Sequence, residues 1–69
     1  AIAYNNRGAA KYSLGQLQAA IDDCNRAIYI DPEYANAYHN RGTAKSKLSQ
    51  NLEANVDFAK ATELGSELR

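Results

Sequence analysis

The sequence predicts an all-α protein built of two helix-turn-helix hairpins, and three observations carry that prediction. The chain repeats itself at a 34-residue offset, where 14 of the 35 paired positions are identical, against roughly 2 or 3 expected by chance for such a composition. Apolar residues recur at three-and-four spacing, and no stretch alternates in the manner of a strand. Glycine, proline or a polar triplet separates helical segments of about 13 residues each.

The first helix is predicted from about residue 2 to 14, with Ala3, Arg7, Ala10 and Leu14 on one stripe and Tyr4 beside it. Gly15 ends it, because glycine adopts the left-handed conformation of a helix C-terminus without a Cβ clash. The second helix, from about 18 to 30, has the strongest periodicity, with Leu17, Ala20, Ile21, Cys24, Ala27 and Ile28 on one face. Asp31 and Pro32 close it, since proline lacks an amide proton and disfavours helical geometry in the residue before it.

The second unit repeats the plan. Ala37, Arg41, Ala44 and Leu48 form the same stripe, a Ser49-Gln50-Asn51 turn replaces the glycine turn, and a last helix is predicted from about 52 to 64. Gly65 and Ser66 end it, and residues 65 to 69 are expected to fray.

Composition excludes several function classes. Eight Lys and Arg balance eight Asp and Glu, so no net field draws the chain to nucleic acid or an anionic membrane. No apolar run approaches the ~20 residues that span a bilayer, so membrane insertion is not expected and the chain reads as soluble, cytoplasmic by default. Cys24 is the single cysteine, which rules out an intrachain disulfide. With His39 it falls short of the four ligands of a structural zinc site, and no metal or cofactor is expected.

Catalysis has little support. Asp22 and Asp23 are adjacent and point about 100° apart on a helix, which does not make an acid and base pair. Cys24 lies on the apolar stripe, where a thiol is inert packing, and His39 has no evident orienting partner. The chain reads as a non-enzyme.

The period, the hairpin plan and the key residues resemble the tetratricopeptide repeat. Tyr4, Gly8, Ala20, Ala27 and Pro32 match its pattern in the first unit, and Tyr38, Gly42, Ala54, Phe58 and Ala61 match in the second. The resemblance implies two repeats, at 1–34 and 35–68, stacked as a right-handed α-α superhelix, with these residues as packing positions. Small residues serve there because antiparallel helices approach closely only where side chains are small.

The chain departs from the family pattern at several positions. Arg7 and Arg41 stand where leucine is usual, Lys11 and Lys45 where an aromatic is frequent, and Cys24 where an aromatic is common. Asp23 and Asp57 recur on the opposing helices. The expectation is that Arg7 pairs with Asp23 and Arg41 with Asp57 across each hairpin, with the aliphatic stems packed over the core.

The resemblance further implies a protein or peptide partner, held in a concave groove lined by the first helix of each hairpin. The matching positions are Ile2, Asn5, Asn6, Ala9, Tyr12 and Ser13, then Asn36, His39, Asn40, Thr43, Ser46 and Lys47. Of these, Asn5, Asn6, Tyr12, His39, Asn40 and Thr43 are the peptide-binding candidates. Asn6 and Asn40 lead, because amides one repeat apart each offer donors and an acceptor to an extended main chain. Asn5 and Ala9 stand where the family's carboxylate clamp wants Lys and Asn, which argues against that activity.

Where the first unit has Leu17, Ile21 and Ile28, the second has Asn51, Asn55 and Thr62. Polar residues on that face are what the end of a solenoid needs. Together with the absence of Met and a start already inside helix, this suggests a piece of a longer protein whose C-terminal repeat is residues 35–68. The competing reading takes Leu52, Val56 and Ala59 as a shifted apolar stripe. Two repeats fall below the ~3 usual for a stable stack, so self-association through Ile2, Tyr4 and Tyr12 is the rival to peptide binding.

Overall fold

The computed structural model describes residues 1–65, so the expected fraying of residues 66–69 and the stop at Ser66 lie outside the described residues. Four helices run in order: α1 (Ile2–Ser13), α2 (Leu17–Ile30), α3 (Ala35–Lys47) and α4 (Asn51–Glu63). Helix α1 packs on α2 and α3 on α4 as two hairpins, while α3 also packs on α2 and touches α1. The layout is that of the predicted helical repeat, with boundaries within a residue or so of expectation.

Both hairpin turns use one hydrogen-bond pattern. The Gly15 amide donates to Tyr12 and that of Gln16 to Lys11, each at 2.9 Å. In the second hairpin Ser49 donates to Ser46 at 3.0 Å and Gln50 to Lys45 at 2.9 Å. This is the Schellman arrangement, which satisfies the orphan carbonyls of a helix end and needs a left-handed residue. Gly15 fills that position at φ +81° and Ser49 at φ +65°, so the polar turn reproduces the glycine turn with a strained residue.

The segment between hairpins is fixed by Asp31, whose carboxylate accepts the Glu33 amide at 3.1 Å, and by the Tyr38 hydroxyl, which donates to the Pro32 carbonyl at 2.9 Å. Pro32 is exposed, so it is not a packing residue as expected. It stops α2 and presents its carbonyl to α3.

The core is thin and made of small side chains. Its buried apolar members are Ala20, Ile21, Cys24, Ala27, Ala37, Ala44, Ala54 and Ala61. Gly8 and Gly42 are also buried, and close helix approach requires both. A Cβ on Gly8 would stand 3.2 Å from the Ala20 carbonyl, and one on Gly42 2.9 Å from the Phe58 ring.

Into this core each hairpin places one carboxylate. Asp23 is 2% exposed and Asp57 3%. Arg7 grips Asp23 through two bonds of 2.9 and 2.8 Å, and Arg41 grips Asp57 through two of 2.9 and 2.7 Å. Lys11 adds a contact to Asp23 at 3.2 Å and Lys45 one to Asp57 at 3.5 Å. The expected cross-hairpin pairs are therefore present in both units, in the bidentate geometry that fits guanidinium to carboxylate. Hydrogen bonds from Arg7, opposed by burial and helped by Lys11, hold the Asp23 carboxyl down at about 2.

The twice-written stripe has two different fates. In α3, Ala37 and Ala44 are fully buried against the first hairpin, and the Arg41 Nη1 donates to Asn25 of α2 at 2.9 Å. Their counterparts Ala3 and Ala10 in α1 are exposed. The alanines of the stripe thus mark the face that meets a neighbouring hairpin, while its arginines reach across their own hairpins.

Candidate functional groove

The first helices of the two hairpins, α1 and α3, flank a cavity of about 210 Å³ lined by Gly8, Ala9, Tyr12, Ala20, Cys24, His39, Asn40 and Thr43. Four of the six peptide-binding candidates, Tyr12, His39, Asn40 and Thr43, meet there. Gly8, Ala20 and Cys24 form its buried floor, while Tyr12, Asn40 and Thr43 are half-buried on its walls and Ala9 and His39 are exposed at its rim.

The remaining two candidates are placed differently. Asn5 is 6% exposed, and its side-chain carbonyl accepts from Asn40 Nδ2 at 2.9 Å. This bond joins the two hairpins, so Asn5 acts inside the stack and does not face the groove. Asn6 is exposed and does not line the cavity. The two repeat-equivalent asparagines are therefore not equivalent in place: one amide proton of Asn40 is committed to Asn5, leaving its second amide proton and its carbonyl for the groove.

Electrostatically the cavity is bland. Burial pushes the Cys24 thiol up to about 11, so it stays protonated and serves as a small apolar surface. The cations nearest in sequence, Arg7, Lys11, Arg41 and Lys45, are engaged with the two buried aspartates. Thr43 donates to the His39 carbonyl at 3.0 Å within its own helix. What the groove offers a ligand is amide and phenol polarity around an apolar floor.

Sequence reasoning missed the floor. Cys24 aligns with Phe58 in the second unit, and that ring packs on the Gly42 backbone and against His39, with ring centroids 5.5 Å apart. The smaller side chain leaves space over Gly8 that the ring fills over Gly42. The signal was present as the departure from an aromatic at Cys24.

Among the described residues no three of His, Cys, Asp and Glu gather as metal ligands, and no described helix is long and apolar enough to cross a membrane. Asp22 is exposed and accepts from Gln18 at 3.2 Å, remote in role from the groove.

Two stacked helical hairpins joined through small residues, with a neutral groove along their first helices, define a helical-repeat interaction module. Residues 1–34 match the tetratricopeptide repeat family, which supports reading the chain as a fragment of a protein of that family. The chain is similar to a DnaJ homolog subfamily C member 7 homolog of Dictyostelium discoideum, 39% identical over 64 residues. That similarity covers 93% of the chain but only 12% of the relative's length. Repeats of this family are in general protein–protein interaction modules and not enzymes.

Proposed function

We propose that the chain binds an extended peptide of a protein partner along α1 and α3, with residues 35–68 serving as a second repeat beside 1–34. The observation that supports this most is the convergence of Tyr12, His39, Asn40 and Thr43 on one cavity with a buried apolar floor. Such a concave apolar site with a few convergent polar groups is the usual form of a ligand pocket. Asn40 offers its free amide proton and carbonyl to a peptide main chain, Tyr12 and Thr43 add hydroxyls, and exposed Asn6 extends the polar line along α1.

The test is titration of the 15N-labelled chain with a pool of uncharged extended peptides. Shifts confined to Asn6 and the residues that line the cavity support the reading, and shifts scattered over the rest of α2 and over α4 sink it.

A second reading, self-association, is favoured by apolar residues on open faces: Ile2 is 63% exposed, Leu52 83% and Val56 67%. Light scattering over a dilution series separates the two. A monomer that responds to peptide supports the groove, whereas concentration-dependent assembly with no peptide response supports stacking.

A further inference from the structure

We propose that the space over Gly8 is a side-chain pocket that takes one aromatic ring of the bound peptide, in the way that the second hairpin fills the matching space with its own Phe58. This rests on the groove reading above and specifies the ligand it takes.

The two hairpins supply the comparison. Gly42 lies under the Phe58 ring, whose edge atoms come within 2.9 and 3.0 Å of the position a Cβ would occupy. The same ring stacks tilted at 52° against His39. At Gly8 the corresponding point meets the Ala20 carbonyl at 3.2 Å, Asp23 Cβ at 3.3 Å and, in place of a ring, Cys24 Sγ at 3.5 Å, and a cavity of about 210 Å³ opens beside it. An apolar cavity of roughly 150 Å³ suffices to bind benzene, so a phenyl group fits.

The lining suits a ring more than a charge. Its floor is glycine, alanine and a neutral thiol, and Tyr12 on one wall and His39 on the rim offer aromatic surfaces for offset or edge contact. Asn40, on the other wall, stands beside this floor with polar atoms left for the main chain that would carry the ring. An aromatic residue flanked by uncharged residues is the partner sequence these features select.

The probe is N-acetyl-phenylalanine methylamide, compared with its alanine counterpart, titrated into the 15N-labelled chain. The phenylalanine compound is expected to shift the amides of Gly8, Ala9 and Thr43, and the alanine compound to leave them in place. Cys24→Phe supplies the ring internally and is expected to weaken the phenylalanine compound at least about tenfold. Ala9→Leu shades the mouth from an exposed position and is expected to do the same, so the test survives if Cys24→Phe does not fold.

Equal response to the two compounds, or undiminished binding in either folded variant, overturns the pocket. Peptides that shift Asn6, Asn40 and Thr43 regardless of aromatic content overturn the pocket and leave the groove. Shifts at Gly8 and Thr43 with the phenylalanine compound, while no peptide moves Asn6, Asn40 or Thr43, overturn the groove and with it the pocket's role as a subsite for a bound peptide.

Discussion

Asn40 donates to the side-chain carbonyl of Asn5 at 2.9 Å across the gap between the two hairpins, and Asn5 is buried. This ties the geometry of the groove to the register of the stack, because one residue both lines the cavity and holds α1 to α3. Asn40→Ala strands a buried carbonyl and is expected to cost about 1–3 kcal/mol. The Asn5→Ala, Asn40→Ala double variant should cost less than the two single losses summed. Urea unfolding of the full cycle checks this, and strict additivity would show that the bond contributes nothing. Asn6→Ala, at an exposed position, should leave stability unchanged and so separates ligand contact from stacking.

The two arginine–aspartate pairs look alike in sequence and differ in burial. The Arg41 side chain is 21% exposed and Arg7 56%. Arg41→Ala leaves the Asp57 carboxylate buried with only Lys45 nearby and removes the bond to Asn25, so it should destabilise by about 2–4 kcal/mol. Arg7→Ala should cost distinctly less, since water reaches that pair and Lys11 stays at 3.2 Å from Asp23. Thermal melts of the two variants rank them, and an equal loss contradicts the role given to burial.

Acid should weaken the fold through Asp23. Its folded carboxyl titrates at about 2 against an ordinary value of 3.8, so below pH 4 the unfolded chain takes up a proton that the folded chain does not. By linkage the stabilisation is complete above about pH 4 and disappears as pH falls through 2. Denaturation midpoints of the wild type and Asp23→Asn, followed from pH 5 to 2, should converge toward the acid end. A constant gap between them would refute the assignment.

The hairpin plan and the ion pairs were legible because each is written twice: a charge on one helix and its opposite on the next recur at the same spacing, which favours pairing across the hairpin over separate solvation. The Asn5–Asn40 bond was not legible, since it links residues 35 apart and Asn5 aligns with His39, so the repeat itself conceals it. Nor could the sequence alone tell which side the Ala3, Arg7, Ala10 stripe faces, because periodicity marks a face without naming its neighbour. On α4 the two anticipated faces are both open to solvent, with Asn51, Asn55 and Thr62 exposed alongside Leu52, Val56 and Ala59.

Ser49 carries the left-handed conformation that Gly15 carries in the first turn, with the same two backbone bonds. An L-residue in that region costs about 1–2 kcal/mol, part of which glycine returns through the greater freedom of the unfolded chain. Ser49→Gly should therefore raise stability by about 0.5–1 kcal/mol, and Gly15→Ser should lower it by a similar amount. Paired chemical denaturation curves decide it. Opposite signs are required, because both residues stand at one structural position.

The sharpest consequence of the repeat lies in two alanines that align with one another, Ala10 and Ala44. Ala44 is 0% exposed, in the core cluster with Ala20 and Ile21 against which Tyr12 packs, so Ala44→Leu forces extra volume into a close-packed seam and should cost about 1–3 kcal/mol. Ala10 holds the same place in α1, where no described residue covers it, and Ala10→Leu should move stability by less than about 0.5 kcal/mol. Melting of the two variants of the 69-residue chain measures the difference directly. If Ala10→Leu proved as damaging as Ala44→Leu at every protein concentration, the stripe would have to lie within each hairpin. If its cost appeared only at high concentration, a second copy would be covering that face.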